Sequence, residues 1–120
     1  MRKVLVPLSV IVAVVVVAVS AAFGPRYYHV WQLNRVPAGS PQYATAQRLL
    51  GWNYYAGEGN LREAKLHVDR ALAASPHDPK VLEDAGRVYV LCGLRSQGEA
   101  MLIQANTPVA QAFLASRHGT

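Results

Sequence analysis

Cys92 is the residue of this chain best suited to covalent chemistry. It lies between Leu91 and Gly93, with Arg87 and Arg95 close in sequence, and cations beside an exposed thiol lower its pKa and make it a nucleophile. A buried cysteine acting as a small apolar filler is the competing reading, and the favoured one. As the sole cysteine it closes no disulfide within the chain, and without a Cys-x-x-Cys pair there is neither a zinc ribbon nor a covalent haem attachment. His67 and His77 are ten apart, and His29 and His118 lie nearer the two ends. None forms the four-residue helical pair that zinc favours, so each histidine is expected at the surface. Ser75, Ser96 and Ser116 lack a suitably spaced histidine and acid. Gly57-x-Gly59 has neither the preceding strand nor the Lys-Ser/Thr of a phosphate loop, and a tight turn between helices accounts for it. These residues predict no catalytic, metal-binding or cofactor-binding site, and the chain reads as non-enzymatic.

The elements that would carry these residues fall into three parts. Residues 4–23 hold no charge, and seven of the ten residues from Val10 to Val19 are valine. Twenty such residues in a helix span about 30 Å, the hydrocarbon thickness of a bilayer. Pro7 falls in the first turn, and Gly24-Pro25 is expected to end the helix. Tyr27, Tyr28 and Trp31, together with Arg26 and His29, form the kind of aromatic and cationic cluster that settles at headgroup level. Residues 1–23 therefore read as a transmembrane anchor that contacts lipid through residues 4–23, and residues 24–40 as an interfacial segment and linker. A cleaved signal peptide is the alternative, with small residues at Ser20, Ala21 and Ala22 for cleavage; the length of the apolar run favours an anchor. Arg2 and Lys3 on one side, against Arg26 and Arg35 on the other, tilt the orientation towards a cytoplasmic N-terminus. In a bacterium this places a single-pass protein in the inner membrane, with residues 41–120 in the periplasm.

Twelve basic against seven acidic residues give the chain a net charge of +5. Arg48, Arg62, Lys65, Arg70, Lys80, Arg87 and Arg95 alternate with Glu58, Glu63, Asp69, Glu83 and Asp84 instead of gathering on one face. That pattern suits solvated helices and argues against nucleic-acid binding.

Ser40-Pro41 supplies an N-cap and a first-turn proline, so a helix is expected from there, with Tyr43, Ala46, Leu49, Leu50, Trp52 and Tyr54 on its apolar stripe. A second helix should run from Leu61 to about Ala74 and be closed by Ser75-Pro76. The pattern then recurs. Leu50-Gly51 with Tyr54 is answered by Ala85-Gly86 with Tyr89, 35 positions on, and Ala64, Val68 and Ala71 by Gly98, Leu102 and Ala105, 34 positions on. The mismatch of one residue suggests that the first turn, around Gly57 and Gly59, is one residue longer. Thr107 and Pro108 should start a last helix whose Val109, Phe113 and Leu114 cover the end of the second copy.

A helical pair repeating at this period, with Leu50, Gly51, Tyr54, Ala64, Val68, Ala71 and Pro76 in its slots, resembles the tetratricopeptide repeat. The resemblance covers about residues 44–106. The usual tryptophan slot holds Gln47 and then Leu82, and the second copy lacks its closing proline at Ala110. It implies an all-α protein: one transmembrane helix, two tetratricopeptide-like hairpins and a C-terminal capping helix. The first helix of each hairpin would line a concave face, where Gln47, Arg48, Asn53 and Arg87 are the candidates for gripping a protein partner, with Tyr27, Tyr28 and Trp31 a second candidate surface nearer the membrane. Tyr54 and Tyr89 are expected mainly in the core. Two repeats and a cap make a small core that gains from docking on a neighbour. The expected role is that of an accessory or scaffold subunit of a larger membrane complex, such as a photosynthetic or respiratory assembly. A membrane-anchored assembly or maturation factor, as in cytochrome c biogenesis or secretion systems, is the alternative, and a thiol enzyme using Cys92 the weaker third.

Overall fold

The computed structural model describes residues 6–118, and of residues 19–23 and 118 the backbone alone. Among these residues there are seven helices and no strand. The chain divides into two compact units, Met1–Gln32 and Leu33–Thr120.

The first unit is built on helix α1, Leu8–Asn34. Gly24 and Pro25 do not end this helix: it continues through Pro25 for nine further residues to Asn34. An internal proline removes one hydrogen bond from the ladder, and a long helix absorbs that loss. Tyr27, Tyr28 and Trp31 therefore sit on a helix and not in a linker, and all three are more than half exposed. Tyr28 and Trp31, three residues apart, stack with ring centroids 5.9 Å apart. Among the described residues no helix is long and apolar enough to cross a membrane. The expected span at residues 4–23 falls partly outside them, at positions 4 and 5 and in the side chains of 19–23.

The second unit is made of α2 (Tyr43–Leu49), a π-helix (Leu50–Ala56) that continues it, α3 (Leu61–Ala74), α4 (Pro79–Leu91), α5 (Arg95–Ala105) and α6 (Pro108–His118). Two turns, Pro37 to Ser40 and Ser40 to Tyr43, precede α2. The helix accordingly starts two residues later than Ser40-Pro41 suggests, with Gln42 at its N-cap and no side-chain cap. Asn60 caps α3 by accepting from the Glu63 N–H, and Asp78 caps α4 by accepting from the Lys80 and Val81 N–H groups, with Pro79 in the first turn. Thr107 caps α6 through the Ala110 N–H.

Two hairpins, α2 and the π-helix with α3, then α4 with α5, share one close contact. A Cβ on Gly51 would stand 2.9 Å from the Ala64 carbonyl oxygen and 2.5 Å from Val68 Cγ1; on Gly86 it would stand 2.9 Å from the Gly98 carbonyl and 2.7 Å from Leu102 Cγ. Only glycine lets the backbones approach so closely. Both hairpins also turn in the same way. The Gly59 N–H bonds the Ala56 carbonyl and the Asn60 N–H that of Tyr55; Gly93 and Leu94 repeat this on Val90 and Tyr89. Gly59 and Gly93 both have positive φ, 79° and 86°, as a Schellman ending requires.

These equivalences locate the extra residue. Gly51 and Gly86 are 35 apart, whereas Tyr55 and Tyr89, like Gly59 and Gly93, are 34 apart. The turns are therefore of equal length, and the insertion lies inside the first helix, between Gly51 and Tyr55. A single inserted residue is what a π-helix accommodates, and the π-helix spans this point. Tyr55, and not Tyr54, is thus the counterpart of Tyr89.

Helix α4 is central, with nine of its thirteen residues buried. On one side Ala85, Val88 and Tyr89 pack with Ala64 and Val68; on the other Leu82 and Val90 pack with Leu102, Ala105 and Ala110, joined by Phe113 and Leu114 of α6.

Candidate interaction face

The face where α2 and the π-helix meet α4 holds a network of charged side chains around two buried carboxylates. Glu83 and Asp84, adjacent on α4, are only 3% and 2% exposed. Such carboxylates survive burial only when paired and hydrogen-bonded. Arg48 of α2 donates to Asp84 at 3.1 Å, and Arg87, one turn along α4, donates to Asp84 at 2.6 Å and to Glu83 at 3.4 Å. The Thr107 hydroxyl, which caps α6, donates to Glu83 at 2.6 Å, and Lys80 stands 3.8 Å from the same carboxylate. The Arg87 guanidinium lies 3.9 Å over the Trp52 ring, so the π-helix contributes a cation–π cover to the network.

This arrangement redistributes the candidate residues. Arg48 and Arg87 are engaged within the fold, and Gln47 is buried at 3% exposure, its Oε1 accepting from His67 Nδ1 at 2.6 Å. Asn53 is exposed and lines a groove of about 390 Å³ with Trp52, Ala56, Gly57 and Leu91. It is the only one of the four hairpin candidates that lines this groove. Tyr27, Tyr28 and Trp31 belong to the other unit.

His67 is not a surface residue. It is 3% exposed, and Tyr55 stacks on it with centroids 5.0 Å apart and planes within 8°. Tyr89 is core, as its position predicts, and its hydroxyl donates to Asp69, which also accepts from Lys65 at 2.8 Å. Burial, reinforced by Asp69, raises the Tyr89 pKa.

Cys92 is half-buried, with its thiol 3.7 Å from the Leu61 carbonyl. The two arginines expected to activate it are occupied, Arg87 as described and Arg95 with Glu99 at 2.7 Å. Burial pushes the Cys92 thiol up, Lys65 opposes that, and Asp69 adds to it. A thiol held protonated is a poorer nucleophile than the thiolate, so these surroundings do not activate Cys92 as its neighbours in sequence suggest. Among the described residues no group of three or more His, Cys, Asp or Glu could hold a metal ion.

Sequence reasoning missed the Asp84–Arg87–Trp52 and Gln47–His67–Tyr55 clusters. The first left a trace: Glu83 and Asp84 interrupt the apolar stripe of α4, and Arg87 follows Asp84 by three. The second joins residues twenty apart on different helices and left none. Compared with protein-family models, curated proteins and solved structures, the chain matches none.

Proposed function

We propose that this chain is a non-enzymatic, membrane-anchored interaction subunit, in which two tetratricopeptide-like hairpins hold a partner protein of a larger membrane complex. The groove beside Asn53 is the observation that carries this reading. The charged side chains around it are spent on one another, while Trp52, Ala56 and Leu91 leave an apolar recess open at the surface, with a single amide at its edge. Such a recess suits an apolar side chain presented by a protein, with Asn53 free to bond its backbone.

The anchor is residues 4–23, N-terminus cytoplasmic, with the hairpins in the periplasm of a bacterial inner membrane. In support, Val10, Ile11, Val12 and Val14 to Val17 each expose about half or more of their surface, a cost in water that lipid abolishes. The exposed aromatic stack of Tyr28 and Trp31 suits the interface that follows such a span. A photosynthetic or respiratory assembly is the class of complex proposed.

A photo-crosslinking residue at Leu91, at the groove, and another at Ile103 on α5, which is 67% exposed and outside it, test the reading in native membranes. The proposal expects Leu91 to capture one integral-membrane protein reproducibly and Ile103 to capture none of it. Capture of immature client forms alone would favour the assembly-factor alternative. Equal labelling from both sites would remove the groove from the account.

A further inference from the structure

His67 sits where three elements meet. Gln47 of α2 accepts from its Nδ1 at 2.6 Å, and Tyr55 of the π-helix covers its ring. An amide oxygen only accepts, so Nδ1 carries the hydrogen and the neutral ring has its lone pair on Nε2. That lone pair faces Glu63 Oε2 at 3.8 Å, too far for a hydrogen bond. Arg70 is the other charged group acting on the ring from α3. From α4, which α2 and the π-helix also meet, the charged groups are Glu83, Asp84 and Arg87, which are taken up with Arg48, Thr107 and Trp52.

A second proton on Nε2 would create a buried cation whose carboxylate neighbour, the part-exposed Glu63, stands at ion-pair and not hydrogen-bond distance. Where that cation is instead drawn out to water, the ring leaves the Gln47 bond and the Tyr55 stack together. The second hairpin has no such group: Met101 stands at the position of His67 and Leu82 at that of Gln47, 34 and 35 residues on. We propose that His67 is a proton-operated latch that holds the α2 and π-helix arm on α3 near neutral pH and loosens that arm, and not the second hairpin, in mildly acidic surroundings.

The sign follows from linkage. Burial first, and Arg70 second, lower the His67 pKa below its ordinary 6.5, with Glu63 opposing. Below that value the opened state takes up a proton that the closed state refuses, so the stabilisation is complete above about pH 6.5 and is lost as pH falls.

Amide hydrogen exchange on the full-length chain at about pH 7.5 and about pH 5.5, corrected for intrinsic rates, tests the latch, together with imidazole NMR titration. Protection across residues 43–74 should fall on acidification, by at most about tenfold per pH unit, the limit for one proton. Protection in α5 should hold, and the His67 ring should titrate below its ordinary 6.5. His67→Met, which copies the second hairpin, should remove the differential. An equal change in both hairpins, a His67 titration at or above its ordinary 6.5, or the same differential in the variant would overturn the proposal. The comparison of hairpins within the wild-type chain stands even if the variant folds poorly.

Discussion

Gly51 and Gly86 show how much of this fold rests on an absent side chain. At either position an added methyl meets a backbone carbonyl at 2.9 Å, which cannot swing aside as a side-chain tip can. Overpacking of this kind costs about 1–3 kcal/mol, partly offset by roughly 1 kcal/mol of helix propensity gained over glycine. Gly86→Ala should therefore lower stability to chemical denaturation, while Gly39→Ala, where nothing lies within 4 Å, should leave it unchanged. Asp84 makes the opposite demonstration. Removing its carboxylate leaves the half-buried Arg48 and Arg87 with fewer partners, and Asp84→Ala should cost about 3 kcal/mol, the lower end of what breaking a buried pair costs. A denaturation midpoint unchanged from wild type would mean that the network is not structural. The glycines were legible from sequence because their neighbours repeat around them. The internal bonds of Arg48, Arg87 and Gln47 were not legible for the opposite reason: a polar side chain on the first helix of a hairpin can face a partner or a neighbouring helix, and spacing alone does not distinguish the two.

The first helix of the hairpin pair changes character at Leu50, where the α-helical α2 widens into seven residues of π-helix. The insertion was visible as the disagreement between repeats of 35 and 34. Its position was not, because a helix and the turn after it can each absorb one residue, and only the matching Schellman turns at Gly59 and Gly93 decide between them. Deleting Asn53 should return this helix to the geometry of α4 and leave a cooperatively melting domain. Deleting Val88, fully buried in α4, turns the rest of that helix by about 100° and should abolish the cooperative transition in circular dichroism. Loss of cooperativity in the Asn53 deletion would mean that the wide turn is required by the fold. The boundary of α1 was misjudged for a related reason: Gly24-Pro25 is a stop signal in water, yet one missing N–H does not terminate a helix of 27 residues.

At the scale of the whole molecule, the all-helical class and the pairing of helices followed from apolar spacing and caps such as Asp78 and Thr107. Those signals are local, and local signals survive without knowledge of partners. The internal polar network did not follow, because it depends on which side chains the chain satisfies internally, and that is decided by contacts between helices far apart in sequence. The proposed role is that of a resident subunit with an open recess, a small core and a membrane anchor. Its most direct test is purification of the tagged full-length chain from native membranes in mild detergent, with the stoichiometry of everything retained. A fixed set of integral-membrane proteins at constant ratio is the predicted result. A chain that purifies alone, or only with substoichiometric precursor forms, would contradict it.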